Sequence, residues 1–323
     1  MSQDAYVPTP VEIRPAPAIG RERRRDAPLD RGRLIPCESA KVDAAAALRL
    51  NAEMIRVMSW NTGGRDWWDA CDPDIDVLLL QEARRPPSAP KFEMVPSIDD
   101  EWRIAGTARR NWTTLVAAPS GRVELRPHPL AQEHDPGPGT LLVSRAGTLR
   151  VADVVRDGHV VMTVASMYAP WERVRGGRPI YADASAHRLL SDLSGLIGSR
   201  ANHRIVAAGD LNILRGYGDH GDPYWQGRYC SVFERAEALG LRYVGPRAPN
   251  GRQAQPWPDE LPRDSDNVPT YYRSGKSAAT ATRQLDFVFA SESIADHVAP
   301  RALNEIDEWG PSDHCRIEIA VSL

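Results

Sequence analysis

Short apolar segments bounded by Gly, Pro, Asn or Asp recur along the chain from Met54 to its last residues. Segments of this length and spacing are typical of β-strands separated by turns. The candidate strands cover residues 55–60, 77–81, 113–118, 140–144, 160–168, 204–209, 285–290 and 315–321. Clear helical periodicity appears over residues 182–197 and 230–239. Many strands with fewer helices predict an α/β protein in which stacked sheets are covered by helices.

The chain divides into a short N-terminal part and one large domain. Residues 1–35 mix Pro, Arg and Asp with few apolar residues, which predicts a flexible tail, and a short helix is expected around residues 43–51. We therefore expect residues 1–50 to form a tail and residues 51–323 to form one domain. Residues 246–272 are too long for a simple connection, so they either form the rim of a binding site or are disordered.

Composition limits the classes to which the protein can belong. Of its 323 residues, 42% are hydrophobic and 26% are charged, as in globular proteins that bury a sizeable core. The net charge of -3 argues against a polycation that coats nucleic acid, although a local basic groove is compatible with it. No apolar stretch is long enough to span a membrane and no secretory signal is recognisable, so we expect a cytoplasmic protein without membrane contact.

Polar side chains stand at the ends of several candidate strands. Asp210 and Asn212 follow the strand over 204–209, and residues two apart on an extended chain point to the same side. Taken alone, such residues are also compatible with a turn, a helix cap or a buried hydrogen bond. Their recurrence at the ends of separate strands predicts one active site instead. The other residues in such positions are Asn61, Glu82, Tyr168, Asp286, Asp313 and His314.

The motifs around these residues resemble those of the endonuclease/exonuclease/phosphatase superfamily of metal-dependent phosphoesterases. A single Gly-Asp-x-Asn is a weak signal, whereas an ordered set that spans the chain from Met54 onward is a strong one. The resemblance implies a four-layered α/β sandwich, in which two stacked, mainly antiparallel sheets are flanked by helices, with residues 51–323 as the catalytic domain. The matching segments are SWNTGG (59–64), LLLQEA (78–83), SMYAP (166–170), AGDLNI (208–213), RQLDFVFAS (283–291) and PSDHCRIEI (311–319).

The resemblance also implies a metal site. Glu82 corresponds to the principal magnesium ligand, Asn61 to a neighbour that orients a ligand or the phosphate, and Asp313 to a residue that helps to hold the metal. Mg²⁺ is the expected ion, with Mn²⁺ as a substitute, because hard cations prefer oxygen ligands and offset the charge that develops on a phosphoryl group. Several relatives carry an acidic residue shortly after the first-motif asparagine, but Thr62 and two glycines follow Asn61 here, so no ligand is assigned to that loop.

The same resemblance implies catalytic roles. Asp210 corresponds to the group that positions and deprotonates the attacking water, and Asn212 to a donor to that water or to the phosphoryl oxygens. His314 corresponds to the catalytic histidine, which Asp286 orients. Tyr168 stands where the apurinic-endonuclease and exonuclease branch has a phosphate-contacting tyrosine and where other branches usually have a histidine, so the motifs are nearest to that branch.

A magnesium-dependent nuclease that acts on DNA or RNA is the preferred interpretation. The segment after the strand over 160–168 contains Trp171 and several arginines, of which Arg175 and Arg178 are candidate phosphate contacts beside an aromatic platform. An ordinary exposed loop is an equal alternative for this segment.

Two other functions stay open. In a phosphatase or phosphodiesterase for a small phosphorylated molecule, Arg273 and Lys276 would line a closed pocket. A noncatalytic binding module that has kept the fold is the least favoured, because every catalytic residue type is present. The sequence makes no prediction of the oligomeric state.

Overall fold

The structure, a computed structural model, describes residues 54–104, 111–132, 137–173, 180–198, 203–217 and 221–323. The predicted tail over residues 1–50 and the arginines Arg175 and Arg178 lie outside these ranges. The division into a tail and a catalytic domain therefore stays a prediction.

Within these ranges the chain forms sixteen strands, two α-helices and four 3-10 helices. The strands are β1 (Met54–Asn61), β2 (Val77–Arg84), β3 (Glu93–Val95), β4 (Trp112–Ala118), β5 (Glu124–Pro127), β6 (Leu130–Ala131), β7 (Leu141–Leu142), β8 (Leu149–Arg156), β9 (His159–Tyr168), β10 (Glu172–Arg173), β11 (Ile180–Tyr181), β12 (Ile205–Asp210), β13 (Leu241–Gly245), β14 (Asp286–Ser291), β15 (Val298–Leu303) and β16 (Arg316–Ser322). The α-helices are α1 (Ala182–Leu193) and α2 (Pro223–Ala238), and the 3-10 helices are Trp68–Ala70, Ser194–Leu196, Ala278–Thr280 and Ala295–His297. None of the described helices is long and apolar enough to cross a membrane.

Two six-stranded sheets carry the fold. Their strand orders are β15-β16-β1-β2-β4-β3 and β13-β14-β12-β9-β8-β5. In each sheet one central pair is parallel, β1 with β2 and β9 with β12, and the other neighbours are antiparallel. The predicted fold of two stacked, mainly antiparallel sheets is thus confirmed. The parallel pairs end near Asn61, Glu82, Tyr168 and Asp210, which all line one cleft.

The facing surfaces of the two sheets form the main core. Val57 of β1, Leu79 of β2, Val164 of β9 and Val206 of β12 are fully buried there. The neighbours of Leu79 on β2 pack on the outer face of the sheet instead. Because both faces of the central strands are buried, these strands read as continuous apolar runs rather than as alternating patterns.

The outer faces of the two sheets are covered differently. Leu189 of α1 and Val232 of α2 pack on the second sheet. The first sheet is covered by Trp67 and Trp102, and within the described ranges the helix on that side is the 3-10 helix Trp68–Ala70. The flanking helices therefore belong mainly to the second sheet.

Several predicted element bounds differ from those observed. The helix predicted over 182–197 ends at Leu193, where the 3-10 helix Ser194–Leu196 follows. The helix predicted from residue 230 begins at Pro223, because the Asp222 carboxylate accepts the Tyr224 N–H at 2.9 Å and caps it. The strand predicted over 140–144 is shorter in the structure, where it is β7. β8, β13 and β15 were not predicted. Charged residues within β8 and β15 mask their apolar pattern.

Residues 246–272 fold against the domain. Asp266 forms ion pairs with Arg215 and Arg247, and both guanidinium groups lie over the ring of Tyr243 at 4.5 and 4.4 Å from its centroid. The end of the segment then reaches the cleft through Tyr271. This arrangement agrees with the expectation of a rim rather than with disorder.

Candidate active site

Asp210 is the last residue of β12 and its side chain is almost completely buried, at 1% exposure of the residue. The preceding Gly209 has a φ of 153°, and a Cβ there would lie 1.9 Å from the carbonyl oxygen of Met167. Only glycine fits, because any side chain would collide with the backbone of β9. This close approach of β12 to β9 sets the position of the Asp210 carboxylate.

Two asparagine residues hold the Asp210 carboxylate. Asn61 Nδ2 donates to Oδ2 at 2.8 Å, Asn212 Nδ2 donates to the same oxygen at 3.0 Å, and the Asn212 backbone N–H donates to Oδ1 at 2.8 Å. Backbone groups set the orientation of both amides: Asn61 Oδ1 accepts from the Gly63 N–H at 2.9 Å, and Asn212 Nδ2 also donates to the Ala169 carbonyl at 3.2 Å. All three donors require Asp210 as an acceptor, and so they favour its ionised form.

His314 lies between two carboxylates. Its Nδ1 is 2.8 Å from Oδ2 of Asp286, the first residue of β14, and its Nε2 is 3.8 Å from Oδ2 of Asp210. The first distance is a hydrogen bond, whereas the second is too long for one. An oxygen atom of a water or a substrate can therefore contact both His314 and Asp210.

Thr270 fixes the carboxylate behind the histidine, and the sequence analysis missed it. Its hydroxyl donates to Asp286 Oδ2 at 2.6 Å and accepts from the backbone N–H groups of Leu285 and Asp286 at 3.0 and 3.1 Å. Thr270 lies in the segment PTYY, outside the recognised motifs. No local pattern in the sequence indicates this contact, because it joins residues 16 apart.

The environment shifts the pKa values of both catalytic candidates. Burial raises the pKa of Asp210 to about 7, and the charges of Asp286 and Glu82 add to this rise while that of His314 opposes it. Burial also disfavours the charged form of His314, but the Asp286 and Asp210 carboxylates outweigh it and raise the pKa of His314 to about 10. Because the two groups titrate together, an ionised Asp210 accompanies a protonated His314. Near neutral pH the pair thus offers an acceptor and a donor.

The segment around Tyr271 pairs with the chain just before Asp286 on one side and with His314 on the other. Tyr271 forms a bridge with Arg283, which precedes β14, and a second bridge with His314, which precedes β16. Its ring lies 4.9 Å from the His314 ring, measured between centroids. This short three-stranded pairing sets the distance between Asp286 and His314.

The three predicted metal ligands line the same cleft, whose volume is about 970 Å³. Glu82 and Asp313 are partly exposed, and Asn61 is buried beside them. Their donor atoms are carboxylate and amide oxygens, which suit a hard divalent cation that keeps several waters. The residues present therefore fit such an ion.

A second set of close donor atoms belongs to Asp210, Asp286 and His314, whose candidate ligand atoms lie within 4.8 Å of one another. Most of these groups are already hydrogen-bonded: His314 to Asp286, Asp286 to Thr270, and Asp210 to Asn61 and Asn212. A metal there would compete with these hydrogen bonds. This set is better suited to proton transfer than to metal binding.

Backbone strain coincides with two of the candidate residues. Glu82 and Asn212 have positive φ angles of 51° and 53°. At Glu82 the cause is an irregularity in the pairing of β2 with β4 between Leu80 and Ala83. Non-glycine residues in this conformation are costly and concentrate at functional sites.

Aromatic side chains form much of the remaining cleft wall. Tyr168 is buried and lines the cleft, as do Trp112 and Trp171. Trp171 is 57% exposed, so one large aromatic surface of the cleft faces solvent. The other proposed contacts of this region, Arg175 and Arg178, lie outside the described residues.

Seven of the predicted site residues thus meet in one cleft, and Asp286 lies directly behind His314. Their individual roles stay predictions. The seven residues are Asn61, Glu82, Tyr168, Asp210, Asn212, Asp313 and His314.

Comparisons with known proteins agree with this architecture. A model of the Endonuclease/Exonuclease/phosphatase family matches residues 45–314. No curated protein matches the chain by sequence. The solved AP endonuclease LMAP from Leishmania major is 16% identical with a TM-score of 0.54, over 84% of this chain and 89% of that one. An AP endonuclease from Archaeoglobus fulgidus is also 16% identical, with a TM-score of 0.52 over 83% of this chain and 100% of that one. At this level of identity the likeness shows the fold.

Proposed function

The chain belongs to the endonuclease/exonuclease/phosphatase family, and from this premise we propose that it is a magnesium-dependent nuclease that hydrolyses DNA or RNA phosphodiester bonds. One observation carries the proposal. In an open cleft, the Asp210 carboxylate is held by two asparagines and lies 3.8 Å from a histidine that is paired with Asp286. This arrangement supplies a base and an acid on either side of one position for a reacting oxygen.

Asp210 is the proposed general base. Three donors direct its lone pairs and leave one acceptor direction of the carboxylate for a water. A pKa raised toward neutrality suits a base that must take a proton near pH 7. Asn212 orients Asp210, and it can donate to a phosphoryl oxygen when its Nδ2 gives up the 3.2 Å bond to the Ala169 carbonyl.

His314 is the proposed donor to the phosphoryl group. Its Nδ1 proton is held by Asp286, which leaves the Nε2 proton directed toward the cleft. The imidazolium offsets the negative charge that grows on the phosphoryl oxygens as the water attacks. Tyr168 lines the same wall and is a further candidate phosphate contact.

Glu82, Asn61 and Asp313 are the residues that would hold a Mg²⁺ ion, with Mn²⁺ as a substitute. When bound, the ion supplies positive charge that stabilises the phosphoryl and leaving oxygens. The residues' own part is to place oxygen donors beside Asp210, and the bulge at Glu82 directs its carboxylate to that place.

Nucleic acid is the substrate class that the cleft supports best. Its volume of about 970 Å³ can accommodate part of a polynucleotide, and the exposed Trp171 offers a surface on which a base can stack. The solved structures with this fold include AP endonucleases, and Tyr168 is the residue that places the motifs nearest to that branch.

The test is hydrolysis by the purified full chain, with magnesium and with chelator. The substrates are single- and double-stranded DNA, abasic DNA, RNA, and small phosphomonoesters and diesters. We expect magnesium-dependent cutting of a polynucleotide, and we expect Asp210→Asn to lower kcat by about 10²- to 10⁴-fold, because general base catalysis commonly contributes that much. Near wild-type turnover in a folded Asp210→Asn protein would remove Asp210 from its role.

A phosphatase for a small molecule is the second candidate, because Arg273 and Lys276 line a cavity of about 700 Å³ beside the cleft. Turnover confined to small phosphoesters would establish that function instead.

A further inference from the structure

A second cavity adjoins the catalytic cleft. Its volume is about 700 Å³, and it shares Trp171, Asn212, Tyr271, Tyr272 and Lys276 with the cleft. The two spaces are therefore continuous past Asn212 and Tyr271. A substrate whose reacting phosphate lies at His314 can extend directly into the second cavity.

The register of the chain places Arg283 two strands away from His314, with Tyr271 between them. Tyr271 is paired with His314 on one side and with Arg283 on the other, so the three residues form a row across adjacent strands. Directly opposite residues project to the same face. Two strand spacings put the Arg283 backbone about 10 Å from that of His314.

The two spaces differ in their acidic residues, while Lys276 lines both of them and Arg65 lines the cleft. The catalytic cleft contains Glu82, Asp210 and Asp313, whereas none of the described residues that line the second cavity is acidic. The second cavity contains three cationic side chains instead, all exposed. They are Arg273, Lys276 and Arg283.

No acidic partner of these cations occurs among the residues that the structure describes. Within the ranges that the structure describes, none of the three forms an ion pair, whereas Arg122 pairs with Asp76 at 2.7 Å and Arg56 pairs with Glu318 at 2.9 Å. Aromatic rings, including those of Tyr229 and Tyr271, form the walls around them. Arginine in such a cavity provides a planar set of donors that matches a phosphate.

We propose that the second cavity binds the phosphate group next to the scissile one, with Arg283 as its principal contact and Lys276 and Arg273 in support. This inference rests on the proposed nuclease function. It makes Arg283 a specificity-determining residue, since a substrate with a single phosphate leaves the second cavity unused.

The test is a double-mutant cycle between the protein and its substrate. Two short oligonucleotides are prepared, and each carries a single uncharged methylphosphonate, in one on the 5′ side and in the other on the 3′ side of the scissile bond. The wild type and Arg283→Met are compared on both. Arg126→Met is the matched control, because Arg126 is exposed on the edge strand β5 and lines neither cavity.

We expect either change alone to lower kcat/KM by roughly ten- to a hundredfold, the usual effect of a hydrogen bond to a charged group. On the oligonucleotide with the methylphosphonate on one particular side, we expect Arg283→Met to cause no further loss of kcat/KM. We also expect this substitution to lower the salt dependence of binding by about one phosphate contact. Independent losses on both sides, with polynucleotide still cut, would overturn the inference and leave the proposed function standing.

A second arm separates the two sources of a neighbouring phosphate. Hydrolysis of a nucleoside 3′,5′-bisphosphate is compared with that of p-nitrophenyl phosphate. If only small molecules react, and the preference for the bisphosphate is lost in Arg283→Met, the nuclease function fails while the phosphate site stands. If no substrate reacts, binding of a labelled oligonucleotide is measured for the Asp210→Asn protein and for the double variant that also carries Arg283→Met. Equal affinities would overturn the proposed phosphate site.

Discussion

Backbone groups orient several of the polar side chains of the proposed active site. Gly63 and Ala169 set the amides that hold Asp210, and the N–H groups of Leu285 and Asp286 set the Thr270 hydroxyl. A side chain that is already held by hydrogen bonds loses little conformational freedom when a substrate binds. Preorganised donors and acceptors of this kind are the largest contribution to many hydrolytic reactions.

Thr270 offers a test of this arrangement. We expect Thr270→Val to lower kcat by about 10- to 100-fold, because groups that orient a functional side chain from behind commonly contribute that much. We also expect about 1–3 kcal/mol of lost stability, since two N–H groups lose their acceptor and Asp286 Oδ2 loses one of its two donors. The measurements are steady-state kinetics and urea unfolding.

Thr270→Ser is the matched control, because it keeps the hydroxyl and should restore most of kcat. A Thr270→Val protein that loses stability but keeps kcat would show that Thr270 serves the fold alone.

At the scale of elements, the parallel pair β9 and β12 is the feature on which the site depends. The two strands run side by side from Ile205 paired with Thr163 to Asp210 paired with Tyr168. Their ends therefore present a base and a candidate phosphate contact together. Gly209 permits the close approach just before this point.

We expect Gly209→Ala to lower the free energy of unfolding by about 3 kcal/mol or more, because its Cβ would lie 1.9 Å from the Met167 carbonyl oxygen. Gly227→Ala is the control: it lies within α2 with nothing within 4 Å of an added Cβ, so it should gain about 0.5–1 kcal/mol. Urea unfolding measures both. Equal stability of the two variants would contradict the account of Gly209.

At the scale of the whole molecule, the site joins the two sheets. Asn61 of β1 and Asp210 of β12 are 149 residues apart in sequence and bonded at 2.8 Å. Gln81 of β2 donates to Ser166 Oγ of β9 at 3.0 Å, and this contact adds a polar link between the sheets. An ion held at Asn61 and Glu82 should therefore stabilise the fold as a whole.

We expect Mg²⁺ at a hundred times its dissociation constant to raise the free energy of unfolding by about 2.7 kcal/mol, since it binds the folded state only. Glu82→Gln should remove most of this effect. Glu234→Gln, an exposed change on α2 away from the cleft, should keep it. Thermal melting with and without the ion gives the comparison, and an undiminished response in Glu82→Gln would exclude Glu82 as a ligand.

Much of the fold could be predicted from local patterns. The apolar runs of β1, β2, β9, β12 and β14 are largely continuous and β16 alternates apolar with polar residues, so local patterns sufficed to predict these strands. β8 and β15 carry charges within the strand, and α2 begins among exposed aromatic residues, so local patterns failed there.

The sequence by itself determined the strands that carry the site and the polar residues at their ends, because both follow from side-chain chemistry over a few neighbouring positions. The tertiary structure decided that Asn61 and Gly63 orient Asp210, that Thr270 holds Asp286, and that Arg283 stands beside Tyr271. Most of these contacts join residues 12 to 149 apart along the chain. Such contacts depend on how the sheets pair and stack, and no local pattern of the sequence records that pairing.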